Sequence, residues 1–536
     1  MLRVPESAAL IVAAALAIGW SAPGRARGSY EELVSLFGDW RAFQRPKLVN
    51  GVPDYTAAVM AGQHRELPAY QRRLAAIDPD LWPVPQQIDW HIVRAEMNGL
   101  DFDQRVLRPW ANNPAFYVTV FPRRSDQPAR EGPFAWGAVE IWSYTFPLAA
   151  ADAERMAMGI RAIPGLLDQA KKNLVGTGRD LWVFGTQSIK EQSTDLERLV
   201  ARVADTPGGL KTDIQRAKAA TDAFGAWLDV QAPSKKGPSG VGVEHYDWYL
   251  KNVQLVPYRW RDQVTLMERE LGRARAFLTL EELRNAGLPA QTPIATAEEH
   301  ARRFAEGVTQ YMAFLRDRNI LTVRNYMEPS LRAQIGRFNP GPREFFTEID
   351  YRDPEVMRTH GYHWFDLARM ANEPHPSPIR RGPLLYNIFI TRTEGHATGW
   401  EEMMLQAGMF DARPRSRELI YVLLAQRAAR ALGDLRMHAN EFTLEQAAEF
   451  ASAHTPRGWL RLDGATVRFE QHLYLQQPTY GTSYLIGKMQ IEGILAERTR
   501  QLGDAFTMKR FMDEFDAAGL IPASLVGWEL TGQKPM

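Results

Sequence analysis

Apolar residues recur along this chain at helical spacing far more often than in strict alternation. Behind Thr296-Ala297-Glu298-Glu299, a Thr-x-x-Glu helix start, Phe304, Val308, Tyr311, Met312 and Leu315 fall on one face. Thr443-Leu444-Glu445-Gln446 opens a second such helix, with Ala447, Phe450 and Ala451 behind it. Over residues 258–284, Val264, Met267, Leu271, Ala274 and Leu278 predict one long amphipathic helix. Residues 506–518 are helical by the same test, and Gly519 followed by Pro522 is a stop signal. Strand-like patterning is confined to residues 116–121 and 466–475, each expected to form one side of a small hairpin. The expected fold is mainly α: a large multi-helix protein of two lobes around a central cleft, with at most a small β hairpin or two.

One stretch cannot sustain a helix. Ala232-Pro233-Ser234-Lys235-Lys236-Gly237-Pro238-Ser239-Gly240 is polar and rich in Gly and Pro. It is the expected boundary between an N-terminal helical lobe, 27–235, and a C-terminal helical lobe, 241–536. Residues 1–26 read as a signal peptide. Arg3 precedes an apolar run from Ala8 to Trp20, which as a helix rises only about 20 Å. Gly24-Arg25-Ala26 then puts small residues at −3 and −1 of a cleavage site. The expected location is periplasmic or secreted, with no stable membrane insertion once the signal is removed. No repeat of fixed period is present, and no pattern sets an oligomeric state.

Composition narrows the chemistry. The 536 residues carry 64 basic and 63 acidic side chains, a net charge of +1. Losing Arg3, Arg25 and Glu6 with the signal brings this to zero, so no global field favours nucleic acid. Cysteine is absent, which excludes disulfides, thiolate nucleophiles and Cys-type metal sites. Any metal must be held by His, Asp or Glu. Of eleven histidines, His360, His363, His375, His396, His438, His454 and His472 fall in one window, against about two for an even spread.

Within that window, Glu394, Thr398 and Glu401 stand at i, i+4 and i+7 of a helical segment, so both carboxylates share one face. Trp400, Met403, Met404 and Leu405 occupy the other faces and read as core. Gly395 and Gly399 each weaken a helix by about 1 kcal/mol, which makes sense where another backbone or a ligand approaches closely. His363 and Asp366 lie three apart and face one way in a helix. Tyr480, Tyr484 and Lys488 form one helical stripe, with phenols able to donate to a developing oxyanion. The pair Arg380-Arg381 is placed to clamp a substrate carboxylate, or to lie on a surface loop.

These segments, in this order, resemble the domain-of-unknown-function 885 family, which is exported, bacterial, mainly helical and similar to gluzincin zinc metallopeptidases. The family's stretch near E-G-W-A-L-Y-A-E-x-L-M-L-x-x-G-x-Y-D is matched without a gap from Glu394 to Asp411. Arg430, Asp434 and His438 match a following Arg…Asp…His run, and Ser483, Tyr484 and Gly487 match an S-Y-x-x-G segment. The family's usual metal motif is H-E-x-x-P-G-H. Here the corresponding place reads His360-Gly361-Tyr362-His363-Trp364-Phe365-Asp366, with no Glu after either His and no Pro-Gly-His.

The resemblance implies Glu394 as a metal ligand, with His360 and His363 as the other two and His396 as an extra candidate. For the missing catalytic Glu it leaves Asp366 or Glu401. His438 and Tyr484 are the expected oxyanion stabilisers, and Tyr480, Lys488 and Arg381 the expected substrate-binding residues. The implied function is an exported, metal-dependent hydrolase acting on a small or peptide-like substrate. The cofactor is zinc, or none. The alternatives are a metal-independent acid–base lyase or hydrolase in the same cleft, and a non-catalytic periplasmic binding protein.

Overall fold

The computed structural model describes residues 28–204, 206 and 208–535. The signal-peptide reading of residues 1–26 lies outside them. Ser29 starts the first helix, α1 (Tyr30–Phe43), by a reciprocal cap. Its Oγ accepts from the Glu32 N–H at 3.2 Å, and Glu32 Oε2 accepts from the Ser29 N–H at 2.8 Å. Helices α2 (Ala57–Ala75) and α3 (Val84–Phe102) follow. Then come α4 (Ala150–Asn173), α5 (Arg179–Arg202) and α6 (Leu210–Gln231). The long amphipathic helix predicted from the sequence is α7 (Trp260–Arg284), with Met267, Leu271, Ala274 and Leu278 buried.

The Thr296 signal starts α8 (Ala297–Asp317), whose predicted apolar face is buried. Thr296 Oγ1 accepts from the Glu299 N–H at 3.1 Å, but Glu299 reaches back to the Ala295 N–H and not to Thr296. The short α9 (Pro354–His360) and α10 (Tyr362–Asn372) are separated by Gly361. They precede α11 (Ile390–Gln406) and α12 (Pro414–His438). Thr443 and Gln446 form a complete capping box at the start of α13 (Leu444–His454). After α14 (Thr466–Gln476) and α15 (Tyr480–Leu502), the chain ends with α16 (Met508–Ala517) and α17 (Ala523–Thr531). The predicted stop stands after α16, where Gly519 takes φ +87°.

Strand is minimal among the described residues. β1 (Leu48–Val49) and β2 (Val52–Pro53) form an antiparallel pair, and β3 (Val120–Phe121) pairs in parallel with β4 (Val139–Glu140). The strand expected over 116–121 is therefore only its last two residues, and Pro114–Tyr117 is a 3₁₀ turn. The strand expected over 466–475 is wrong: this segment is α14. Its Val467, Glu470, Gln471 and Tyr474 are buried at helical spacing. Packing of that face, including an ion pair from Glu470 to Arg430 of α12, outweighs the β-preference of Thr, Val, Phe and Tyr.

Two hydrophobic cores divide the burial. The smaller is built on α4, α5 and α6. The larger joins α1 to α3 with everything from α7 onward. Within the larger core α12 is buried along nearly its whole length. The closest helix pair is α11 against α15. A Cβ on Gly395 would lie 2.8 Å from the Lys488 backbone nitrogen, and one on Gly487 would lie 2.7 Å from Gly395 Cα. The backbones touch there, which is why helix-weakening glycines stand at both places.

Candidate metal centre

The break at Gly361 sets the geometry of the two histidines. His360 is the last residue of α9 and His363 lies in the first turn of α10, with ring centroids 5.0 Å apart. The carboxylate face of α11 lies against them. Glu394 Oε2 is 3.3 Å from His363 Nε2, and Glu401 Oε1 is 3.0 Å from His360 Nδ1. The shared face predicted from the i, i+7 spacing thus assigns one carboxylate to each histidine.

His360, His363 and Glu394 each offer a ligand atom within 4.8 Å of the other two. Among the described residues this is the group of three able to hold a cation. Glu394 Oε2 and His363 Nε2 are buried and face only each other, at 3.3 Å. Two imidazoles and a carboxylate converging in this way are a donor set suited to zinc.

Around the three lies a supporting shell. Glu401 accepts from Arg427 Nη1 and Nη2 at 2.7 and 2.8 Å, so it is ionised and fixed. His360 Nδ1 lies 3.0 Å from Glu401 Oε1 and 3.2 Å from Arg427 Nη2, so Nε2 is the ring nitrogen left outside these contacts. Glu394 Oε1 accepts from Gln127 Nε2 at 3.0 Å and from the Tyr480 hydroxyl at 2.9 Å. Gln127 is itself fixed by the Thr393 hydroxyl, which donates to its Oε1 at 2.6 Å. His363 and Glu394 pair at 3.3 Å. Burial disfavours the charge on His363, but Asp126 and Glu394 outweigh it and push its pKa up to about 9. Burial likewise opposes the charge on Glu394, yet His363 pulls its pKa down to about 2. Burial keeps the Tyr480 and Tyr484 phenols protonated, their pKa values well above the ordinary value.

The other predicted residues divide. Tyr484 lies beside Tyr480, ring centroids 6.0 Å apart, with the Arg430 guanidinium 5.2 Å from its own ring. Asp366 is taken by Arg392, which donates to both of its oxygens at 3.0 Å and also reaches Asp516. His396 packs among Tyr362, Trp400 and Phe515 and does not join the ligand set. His438 has both nitrogens on backbone: Nε2–H donates to the Tyr474 carbonyl at 3.0 Å, and Nδ1 accepts from the Val241 N–H at 3.4 Å. Lys488 is buried between Glu402 and Glu492 at 2.9 and 2.6 Å. Arg380 is buried against Asp89 and Glu529, whereas Arg381 is exposed and donates to the His375 and Pro376 carbonyls.

Sequence reasoning missed the loop between β3 and β4, residues 122–138, which lays Asp126, Gln127 and Glu131 beside the centre. Tyr480 O–H also approaches Glu131 Oε1 at 3.3 Å, and the Ser125 hydroxyl donates to Glu131 Oε2 at 2.5 Å. Burial, then Asp126, push the Glu131 pKa up to about 7. Nothing periodic marks this Pro- and Gly-rich loop. Arg427 was also missed, although a charge inside the apolar run from Leu419 to Leu432 was a readable signal.

No curated protein matches this sequence. Two solved structures share the fold. One is a candidate lipoprotein of unknown function from Shewanella oneidensis, 15% identical, covering 93% of this chain and 99% of its own, with a TM-score of 0.69. The other is a candidate lipoprotein from Colwellia psychrerythraea, 14% identical, covering 94% and 99%, with a TM-score of 0.65. The resemblance carried by the C-terminal motifs is borne out at the level of sequence: residues 361–530, which include His363, Glu394 and Tyr484, match the model of the bacterial protein family of unknown function DUF885.

Proposed function

We propose that this protein is a metal-dependent hydrolase of peptide-like amides in the cell envelope, with His360, His363 and Glu394 holding the cation. The observation that carries the reading is the convergence of three ligand atoms within 4.8 Å, two of them buried and facing only each other. A divalent cation such as Zn²⁺ would polarise a substrate carbonyl and make water acidic enough to react near neutral pH.

The chain's own residues supply the rest. Glu401, clamped by Arg427, holds His360 in one orientation. Gln127 and Tyr480 fix one oxygen of Glu394 and leave the other facing His363. Tyr484, a neutral phenol beside Tyr480, is the donor for the oxyanion of a substrate carbonyl. Gln127 and Glu131 of the 122–138 loop lie against the buried Glu394 and Tyr480, where a less polarisable surrounding strengthens these interactions.

An envelope location is favoured by the N-terminal signal pattern and by the candidate-lipoprotein descriptions of the two proteins of like fold. No helix of the described residues is long and apolar enough to cross a membrane.

Metal analysis of protein purified without chelator tests the reading. About one equivalent of Zn, Mn or Fe is expected, and less than about a tenth ends it. Glu394→Ala is expected to lose the metal while retaining its helical circular dichroism. The unaided His363–Glu394 pair at 3.3 Å favours a second reading, metal-independent acid–base catalysis. Turnover of a screened substrate by metal-free protein would select it.

A further inference from the structure

We propose that Glu131, on the loop between β3 and β4, is the base that takes the proton from water in this hydrolysis, an assignment that rests on the metal-dependent reading above. No carboxylate directly follows either histidine: Gly361 follows His360 and Trp364 follows His363. The carboxylates closest in sequence are already committed. Asp366 gives both oxygens to Arg392, Glu401 gives both to Arg427, and Glu402 is held by Arg273 and Lys488.

Glu131 is differently placed. The Tyr480 oxygen stands 2.9 Å from Glu394 Oε1 and 3.3 Å from Glu131 Oε1, so one phenol joins the ligand set to this carboxylate. Those two oxygens are therefore at most about 6 Å apart and bridged by the Tyr480 hydroxyl, close enough for Glu131 to reach a water beside the ligand set. Ser125 fixes the second oxygen of Glu131. Among the described residues no Lys, Arg or His lies within ion-pair distance of it, and its partners are hydroxyls. A half-buried carboxylate with that surrounding is more basic than an exposed one, in keeping with its raised pKa. Asp126, on the same loop, adds to that basicity and is the competing candidate.

The step balances. The oxygen of water bonds to the substrate carbonyl carbon as Glu131 accepts one of its protons. The C–N bond then breaks, and Glu131 returns that proton to the departing nitrogen. One water is consumed and the carboxylate is regenerated.

The test uses the full chain and two probes, Zn²⁺ and acetohydroxamic acid, whose proton needs an acceptor beside the centre when it binds. Zn²⁺ affinity is measured by competition with a chromogenic chelator, and hydroxamate affinity by calorimetry on Zn²⁺-loaded protein. Glu131→Gln is expected to bind Zn²⁺ within about threefold of wild type and acetohydroxamate about thirtyfold more weakly. Glu394→Gln is expected to lose Zn²⁺ affinity by about a hundredfold or more.

If wild-type protein takes up no Zn²⁺, both the function and the Glu131 assignment fall. If it takes up Zn²⁺ but the hydroxamate fails to bind, or binds Glu131→Gln as tightly as wild type, the Glu131 assignment alone falls. Loss in Asp126→Asn with retention in Glu131→Gln also overturns it, in favour of Asp126. Should Glu131→Gln fail to fold, Glu131→Asp, which withdraws the carboxylate by one methylene, is judged by the same criterion.

Discussion

Replacing Gly487 with Ala is the sharpest test of how α11 and α15 build the centre. In an exposed helix the change is favourable by about 1 kcal/mol, because Ala forms helix better than Gly. At Gly487 the new methyl would sit 2.7 Å from Gly395 Cα and 2.9 Å from the Thr391 carbonyl carbon, and closer still to the Thr391 oxygen. Carbon atoms prefer about 3.5–4.0 Å, so the helices must part by about 1 Å. The obstructing atoms are backbone and cannot swing aside. Overpacking of this kind costs about 1–3 kcal/mol, and rigid neighbours place it at the upper end. Net of helix propensity, Gly487→Ala is expected to destabilise by about 2 kcal/mol.

Gly493 on the same helix provides the control. Nothing lies within 4 Å of a Cβ there, so Gly493→Ala is expected to stabilise by up to about 1 kcal/mol. The two variants should then differ by about 3 kcal/mol, a separation of roughly 1 M in urea midpoint at a slope near 3 kcal/mol/M. Denaturation followed side by side by tryptophan fluorescence measures it. A Gly487→Ala midpoint at or above wild type would refute the backbone contact, and with it the reason Tyr480 stands beside Glu394.

Three further outcomes are expected. Arg392→Met strands Asp366 in the interior, while Asp516 keeps Arg369 and Tyr362, and should cost about 3–5 kcal/mol, read as a fall in melting temperature by calorimetry; an unchanged melt excludes the pairing. Glu401→Gln loosens His360 and should weaken Zn²⁺ binding about 10- to 100-fold in the chelator competition, whereas affinity within threefold would deny Glu401 its orienting role. His438 and His472 are buried neutral, with burial pulling their pKa values down to about 4 and about 3. Below about pH 6.5 the unfolded chain takes up protons that the folded protein refuses, so stability is full above that pH and is lost as pH falls toward 4, by about 2–3 kcal/mol per histidine at pH 4.5. Urea midpoints at pH 7 and 4.5 measure the loss, and His438→Gln should flatten it; an unaltered slope would show that His438 does not contribute.

Much of the centre was readable before the fold. Glu394 and Glu401 at i, i+7 had to share a helix face, and each meets a histidine that the sequence had already singled out. The glycines of α11 pointed to a close neighbour, which proved to be the backbone of α15 at Gly395. What failed was context. The 466–475 segment has strand-forming residues but the burial of a helix, because its partners on α12 lie far away in sequence. Lys488 shares a stripe with Tyr480 and Tyr484, yet Glu402 and Glu492 draw it elsewhere.

Periodicity and capping are local, within four residues or so, and that range suffices for the helical class, the start of α13, the stop after α16 and the pairing of faces within α11. Composition is global, and the absence of Cys confined any metal to His and carboxylates. Neither reaches across the chain. Gln127 meets Glu394 from more than 250 residues away, and Glu131 reaches it through Tyr480, along a loop with no periodic signal. Both ends of that loop are anchored in the smaller core, so only the tertiary fold could bring it over α11 of the larger one.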